Sequence, residues 1–271
     1  MIPARREALL AWYDDHRRRL PWRDEADPYA ILVSEIMAQQ TQISRVVPHF
    51  ERFVAEFPTV EALAGASLQT VLAAWSGLGY NRRARYLHEA ARYLVEHGWP
   101  DSAAGLQTLS GVGPYTAAAV ASIAFDEPIA AVDTNAKRVL SRWTGQALSG
   151  ARLQEVAGSE LPRSRAADWN QALMDLGAGL CRPRPVCAGC PVSAWCADPS
   201  VYAPPLRQSE FAGSVRQARG AVLRRILEDG PAASTGLADL GIEPTRLASA
   251  LQSLHSDGLI RSIGEVWAIA E

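Results

Sequence analysis

The 271-residue sequence predicts an all-α architecture with a small C-terminal module that holds the strand signals. Three observations predict this class. Apolar residues recur at helical spacing in segment after segment. Alternating β patterns are sparse before residue 259. The connections between periodic segments are short. Hydrophobic content of 48% with 21% charged residues is ordinary for a soluble globular chain. No apolar run reaches about 18 residues, which argues against a membrane-spanning helix. The opening MIPARREALLAWYDDHRRR lacks an uninterrupted apolar stretch, so no signal peptide is expected, and the expected location is the cytoplasm or bacterial nucleoid.

In order, Arg5–Arg19 reads as an amphipathic helix, broken by Leu20-Pro21-Trp22-Arg23. Tyr29–Ala38 is apolar on most sides and reads as a buried helix, interrupted by Ser34 and Glu35. A carboxyl in such a run is costly unless it is paired or protonated. A polar knot, Gln39-Gln40-Thr41-Gln42, follows. Ser44–Glu56 is a further helix, with Pro48 near its start; Thr59–Ala64 and Leu68–Trp75 are short ones. Gly77-Leu78-Gly79-Tyr80 is a glycine hairpin before the helix Arg82–His97. Ala151–Leu161 and Ala166–Leu180 add two more helices. Pro, Ser and Gly enrichment over Asp198–Ser214 marks a linker. Beyond it, Arg216–Leu227, Ser234–Leu240 and Pro244–His255 read as helices, and Leu259–Ile263 and Glu265–Ile269 as strands. That is a winged-helix pattern. Its third helix carries Arg246 as the lone fixed positive charge, so a packing or partner-binding role is favoured over reading a major groove.

The chain is organised around Leu109–Arg138. Gly111 and Gly113 permit a tight hairpin whose amides can approach another molecule, and Pro114 suits the first position of the helix Tyr115–Phe125. A hairpin feeding a helix N-terminus suits a phosphate, although most such glycine pairs are ordinary turns. An acid placed just after it, Asp133, would face the sugar of the gripped strand. Net charge is −2, which by itself does not announce a nucleic-acid binder. Basic residues cluster at His16–Arg19, Arg82–Arg85, Lys137-Arg138 and Arg182 with Arg184; each cluster singly reads as a solvated face.

All four cysteines, Cys181, Cys187, Cys190 and Cys196, lie in one segment. Four thiolates at this density can close around zinc or a [4Fe–4S] cluster; disulfides or free thiols are the lesser alternatives. Pro191 after the C-x2-C pair leans toward iron–sulfur. Such a knot can be purely structural while presenting Arg182 and Arg184 to phosphates.

Seven ordered motifs carry a resemblance: LPWR at 20–23, SEIMAQQTQ at 34–42, GLGY at 77–80, the hairpin with Pro114-Tyr115-Thr116, Val132-Asp133-Thr134-Asn135, NQALMDLGA at 170–178, and the cysteines. Over about residues 5–198 the chain resembles the helix-hairpin-helix DNA glycosylases related to endonuclease III, on the adenine-specific, MutY-like branch. The resemblance implies a two-domain helix-hairpin-helix glycosylase fold with an iron–sulfur loop. Residues 1–21 and 132–200 would form the [4Fe–4S] cluster domain and 22–131 the six-helix domain, with 201–214 as linker and 215–271 as the winged-helix-like module. DNA would lie in the cleft between the first two. Two departures stand out. The first cysteine interval is five residues where the family has six, and the module stands where relatives carry a domain resembling nucleotide hydrolases.

The chemistry follows. Breaking an N-glycosidic bond needs a proton for the leaving base and a negative charge for the sugar cation, so two carboxyl groups in different states are wanted. Glu35 in its apolar helix suits the proton donor; Asp133, expected to stay ionised, suits the sugar cation. A buried Glu in a salt bridge and an Asp capping the next helix are the plain alternatives. Tyr115 and Asn135 are grouped with the two acids. In the lyase branch of this family a lysine stands where this chain has Tyr115, so a monofunctional enzyme is expected; Lys137, the sole lysine, reads as a phosphate contact. The resemblance also implies that Tyr80 wedges beside the orphaned base and Gln40 enters the duplex. Gln39, Thr41, Gly111 and Gly113 would be further DNA contacts, and Trp22, Arg23 and Asp175 would border the base pocket. The expected substrate is double-stranded DNA with adenine opposite 8-oxoguanine or guanine, met by a monomer without membrane association; no partner is assigned to the C-terminal module. Thymine or uracil excision on the same scaffold, and a non-catalytic DNA-binding cluster protein, are the alternatives. Glu35 favours a purine, whose ring nitrogen it can protonate.

Overall fold

The computed structural model describes residues 2–23, 27–202, 204 and 210–271, so residues 203 and 205–209 of the linker expected at 201–214 lie outside the described residues. The helices are α1 (Ile2–His16), α2 (Pro28–Ala38), α3 (Ile43–Glu56), α4 (Val60–Gly65), α5 (Leu68–Ala74), α6 (Arg82–His97) and α7 (Ala103–Leu106). They continue with α8 (Pro114–Ala124), α9 (Thr134–Thr144), α10 (Gly150–Glu160), α11 (Ala166–Gly179) and α12 (Val215–Asp229). The module ends the chain as β1 (Ala232–Ala233), α13 (Ser234–Ala238), α14 (Pro244–Ser256), β2 (Ile260–Ile263) and β3 (Val266–Ile269). Among the described residues no helix is long and apolar enough to cross a membrane.

The chain divides into two compact units, Met1–Glu35 with Trp99–Leu206, and Ile36–Gly98 with Arg207–Glu271. The first cut therefore falls inside α2. The first unit is built on α11, which is buried nearly all round from Ala166 to Gly177 and packs against α1, α8 and α9. Its core joins Leu9 and Tyr13 of α1 to Val139 and Trp143 of α9 and Trp169, Leu173 and Leu176 of α11. Gly177 is required by closeness: a Cβ there would sit 2.6 Å from the Cβ of Asn135, so α9 and α11 touch backbone to backbone at the site described below.

In the second unit α4 and α5 pack on α6, and α12 packs on both α5 and α14. The winged-helix pattern is present with one addition. β1, two alanines paired to Val266 and Trp267 of β3, extends the hairpin to an antiparallel sheet ordered β1-β3-β2. Two residues cannot show a period of two, so β1 is silent in the sequence. The same holds for α7, four residues capped by Ser102, which is too short to show a helical period.

Candidate active site

The hairpin Leu109–Gly113 closes through the Val112 amide donating to Leu109 O at 3.2 Å. Gly111 takes φ +76°, a conformation that disfavours a Cβ. Gly113 is the N-cap of α8 and Pro114 occupies the first turn, so the first-turn amides of α8 have no side-chain cap and depend on other acceptors. The next residue, Tyr115, turns its phenol to the Glu35 carboxyl as a hydrogen-bond donor, and lies 3.5 Å from Met174 Sδ.

Glu35 stands on α2 between Ser34 and Ile36, both buried, yet keeps part of its own surface open. Burial of its carboxyl pushes the pKa up to about 7. The Tyr115 hydrogen bond and the field of Arg23 pull it down, and the nearby Asp133 pushes it up.

Asp133 is the N-cap of α9: its Oδ1 accepts from the Ala136 amide at 2.6 Å, and its Oδ2 accepts from Asn135 Nδ2 at 2.8 Å. The capping role and a catalytic role are thus compatible in one residue. Burial is the largest influence and leaves its pKa raised, although those hydrogen bonds and Arg138 favour the anion. The two acids are near enough for one charge to act on the other, and they have different support. Asp133 has donors on both oxygens, and Glu35 has one phenol.

The support continues along α9. Arg138 Nη2 donates to Asn135 Oδ1 at 2.7 Å and to Gly177 O at 2.8 Å, and its Nε donates to Cys181 O at 2.7 Å. One turn on, the buried Arg142 donates to Cys181 O and Sγ, each at 3.2 Å, and to Arg182 O, Pro183 O and Val201 O. Both arginines organise the cysteine segment, and neither stands out among the candidate residues in the sequence. The signal was available: Asn135, Arg138 and Arg142 are spaced i, i+3, i+7 on one helical face behind a capping aspartate.

Other candidates fall as follows. Asp175 on α11 is buried and accepts from Arg23 Nη1 at 2.7 Å and Nη2 at 2.9 Å, and from Arg18 Nε at 2.6 Å. Burial pushes its carboxyl up, but these two guanidiniums outweigh burial and hold it below the ordinary range. Trp22 is buried in the turn that carries Arg23. Lys137 is half-buried on α9, its amide donating to Asp133 O. Gln39, Gln40, Thr41 and Tyr80 belong to the second unit.

The four cysteines form no disulfide. They line one cavity of about 100 Å³, closed by Arg142, Trp143, Leu176 and Leu180. Its soft donors are the four sulfurs; Ser193 is the one hydroxyl side chain in the lining, which holds no carboxylate or imidazole. Among the described residues, no group of three or more His, Cys, Asp or Glu closes on one point as ligands of a single ion.

A hairpin-started helix, two unlike half-buried acids and a thiol-lined cavity match the pattern that the motifs imply for a helix-hairpin-helix base-excision DNA repair protein. The family model for "HhH-GPD superfamily base excision DNA repair protein" matches residues 33–152. The adenine DNA glycosylase of Mycolicibacterium smegmatis is 39% identical over 274 residues, covering 95% of this chain and 92% of that protein. That of Mus musculus is 44% identical over 214 residues, covering 72% of this chain and 42% of its own length. The chain thus spans about two fifths of the mammalian relative. A solved thermostable thymine-DNA glycosylase superposes with TM-score 0.67 at 31% identity, over 72% of this chain and 96% of that one. Within the superfamily, the chain belongs to the adenine DNA glycosylase family.

Proposed function

We propose that the protein is a monofunctional DNA glycosylase that excises adenine mispaired with 8-oxoguanine or guanine. The observation that carries this reading is Glu35, whose pKa of about 7 lets it hold a proton at neutral pH near Asp133, both of whose oxygens accept hydrogen bonds. Glu35 gives its proton to a ring nitrogen of the flipped purine as the bond between sugar and base breaks and its electron pair leaves with the base. The Asp133 carboxylate stabilises the sugar cation, and water then adds to that carbon and releases a proton to the Glu35 carboxylate. Tyr115 steadies Glu35 and cannot form an imine, which fits base excision without strand cleavage.

The four thiols fit a [4Fe–4S] cluster. The support is the donor set: four sulfurs line one cavity with no carboxylate or imidazole beside them. When bound, the cluster cross-links the loop of Arg182 and Arg184 and takes no part in the bond-breaking step.

The test is a panel of duplexes, each with one mispair, scored for abasic sites. Abasic product is expected from adenine opposite 8-oxoguanine and guanine, in strands that stay intact until hot alkali. Bound iron and broad absorption near roughly 400 nm are expected in the protein used. Excision of thymine or uracil with adenine untouched, or borohydride trapping of a protein–DNA adduct, would overturn the reading.

A further inference from the structure

In the second unit two exposed residues that are not glycine occupy the left-handed backbone region, Gln40 at φ +56° and Tyr80 at φ +50°. Among the described residues only Asp126 shares that conformation without being glycine. Such strain persists where the surroundings enforce it, and it gathers at functional positions.

One side chain reaches the peptide before each of them. Arg83, in the first turn of α6, is 8% exposed. Its Nη1 donates to Ile36 O at 2.8 Å, to Met37 O at 2.9 Å and to Gln39 O. Its Nη2 donates to Thr41 Oγ1 at 3.1 Å and to Gly79 O at 3.2 Å. The carbonyls of Gln39 and Gly79 are the informative pair, because each belongs to the peptide immediately before a left-handed residue. Fixing a carbonyl fixes its peptide plane, and with it the geometry available to the residue that follows. The carbonyls of Ile36 and Met37 are last-turn groups of α2, which lack intrahelical donors and carry the negative end of the helix dipole. Among the described residues Arg83 makes no ion pair with a carboxylate. Its charge rests on carbonyl oxygens and on the rings of Trp75 and Tyr80, whose centroids lie 5.5 and 5.2 Å from its Cζ. A planar fork can bridge two loops in this way; the point charge of a lysine cannot.

We propose that Arg83 is a positioning residue that couples the two loops, so that Gln40 and Tyr80 are presented to a distorted duplex as one rigid pair. This rests on the glycosylase reading, in which those side chains enter the duplex as the target base leaves it. It predicts that Arg83 matters for parting a paired base and hardly at all for a base already outside the stack.

Single-turnover excision by Arg83→Lys is measured on adenine in a mispair and on adenine in a single-nucleotide bulge. The expected losses are about 30-fold or more on the mispair and under about 3-fold on the bulge. The same substitution in a Gln40→Ala/Tyr80→Ala background is expected to add less than about 3-fold, because coupled residues are not additive. Equal losses on both substrates by protein of native helicity, or fully additive losses, overturn the proposal. If Arg83→Lys does not fold, Thr41→Val, which removes one acceptor from the fork, is measured on the two duplexes; an unequal loss supports the coupling and an equal one overturns it. A wild-type protein that excises adenine from neither substrate would refute the glycosylase reading alone. The coupling is then read from a 2-aminopurine beside the mispair, whose fluorescence should rise on binding wild type and stay flat with equally bound Arg83→Lys. A rise with both overturns it.

Discussion

Glu35, half-buried, and Asp175, buried, are acids of the first unit whose pKa values are shifted in opposite directions. Glu35 is pushed up to about 7, while Asp175 is held below the ordinary carboxylate range. Burial is the largest influence on each and acts in the same direction. The difference lies in the partners. Asp175 takes both guanidinium nitrogens of Arg23 and the Nε of Arg18; Glu35 takes a phenol and feels Arg23 only through its field. Asp175 takes up the guanidinium of Arg23, which acts on Glu35 only as the last of the influences on it. The lesson is that the acid of this site is made by where its nearest arginine is held.

The largest effect belongs to Glu35 and Asp133. Asp133→Asn and Glu35→Gln are each expected to slow single-turnover excision by about 10³-fold or more, roughly 4 kcal/mol of barrier, with mispair binding nearly unchanged. Normal excision by either variant removes that residue from the chemistry. The same Glu35 variant reports on stability with a definite sign. A folded pKa raised from 4.5 to about 7 means that the folded protein binds the extra proton. Its contribution is full below pH about 4.5 and is lost as pH rises through about 7. Glu35→Gln should therefore be more stable than wild type at pH 8, by about 2–3 kcal/mol, with the gap closing below pH 5. Denaturant melts at the two pH values check this; a gap independent of pH would mean that Glu35 is ionised in the folded protein.

The next effect breaks the comparison from the other side. Asp175→Asn removes the anion that holds Arg23 and Arg18. Breaking a buried pair from one side costs about 3 kcal/mol, so a clear drop in melting temperature is expected. The informative readout is the pH–rate profile. Arg23, released from its bidentate partner, would act more strongly on Glu35 and lower its pKa. The falling limb at high pH, where Glu35 loses its proton, should then move to lower pH. An unmoved limb in a folded variant would show that Arg23 is held away from Glu35 by something other than Asp175.

Much of this was legible from residue order because the controlling features are local. The extent of α6, the proline start of α8 and the apolar run enclosing Glu35 all follow from periodicity and turn chemistry. Asp133 as a cap was visible too, as the plain alternative to catalysis, and the structure makes capping part of its geometry. What stayed hidden is pairing between distant segments. Arg18 and Arg23 meet Asp175 more than 150 residues away, and Arg138 meets the Cys181 carbonyl 43 residues away. A basic cluster in a sequence reads as a solvated face until its acceptors are known, and carbonyl acceptors leave no mark in the side-chain pattern. The coupling by Arg83 was hidden for the same reason, since its acceptors are main-chain groups from two loops.

The smallest effect sharpens the comparison with a third carboxylate. Asp257, at the end of α14, is also served by arginines: Arg219 Nη2 lies 2.5 Å from its Oδ2, and Arg82 Nη1 lies 3.2 Å from its Oδ1. Arg85 Nη1 donates to its main-chain oxygen at 2.5 Å, a bond that a side-chain change leaves in place. Asp257 differs from Asp175 in exposure, 18% against 2% at the side chain, and its partner Arg82 is 56% exposed. Water therefore competes for both members of the pair, and exposed pairs contribute about 1 kcal/mol or less. Asp257→Asn is expected to lower stability by no more than that, to lose even this difference in about 1 M salt, and to leave the excision rate within about threefold. Asp175→Asn should keep most of its penalty in the same salt, because screening ions do not reach a buried pair. Melting the two variants side by side at low and high salt decides whether burial or the number of arginines sets the strength of these sites. Equal, salt-insensitive penalties would mean that the Asp257 contacts are as shielded as those of Asp175, and that the C-terminal module is held to α6 by a buried ionic joint.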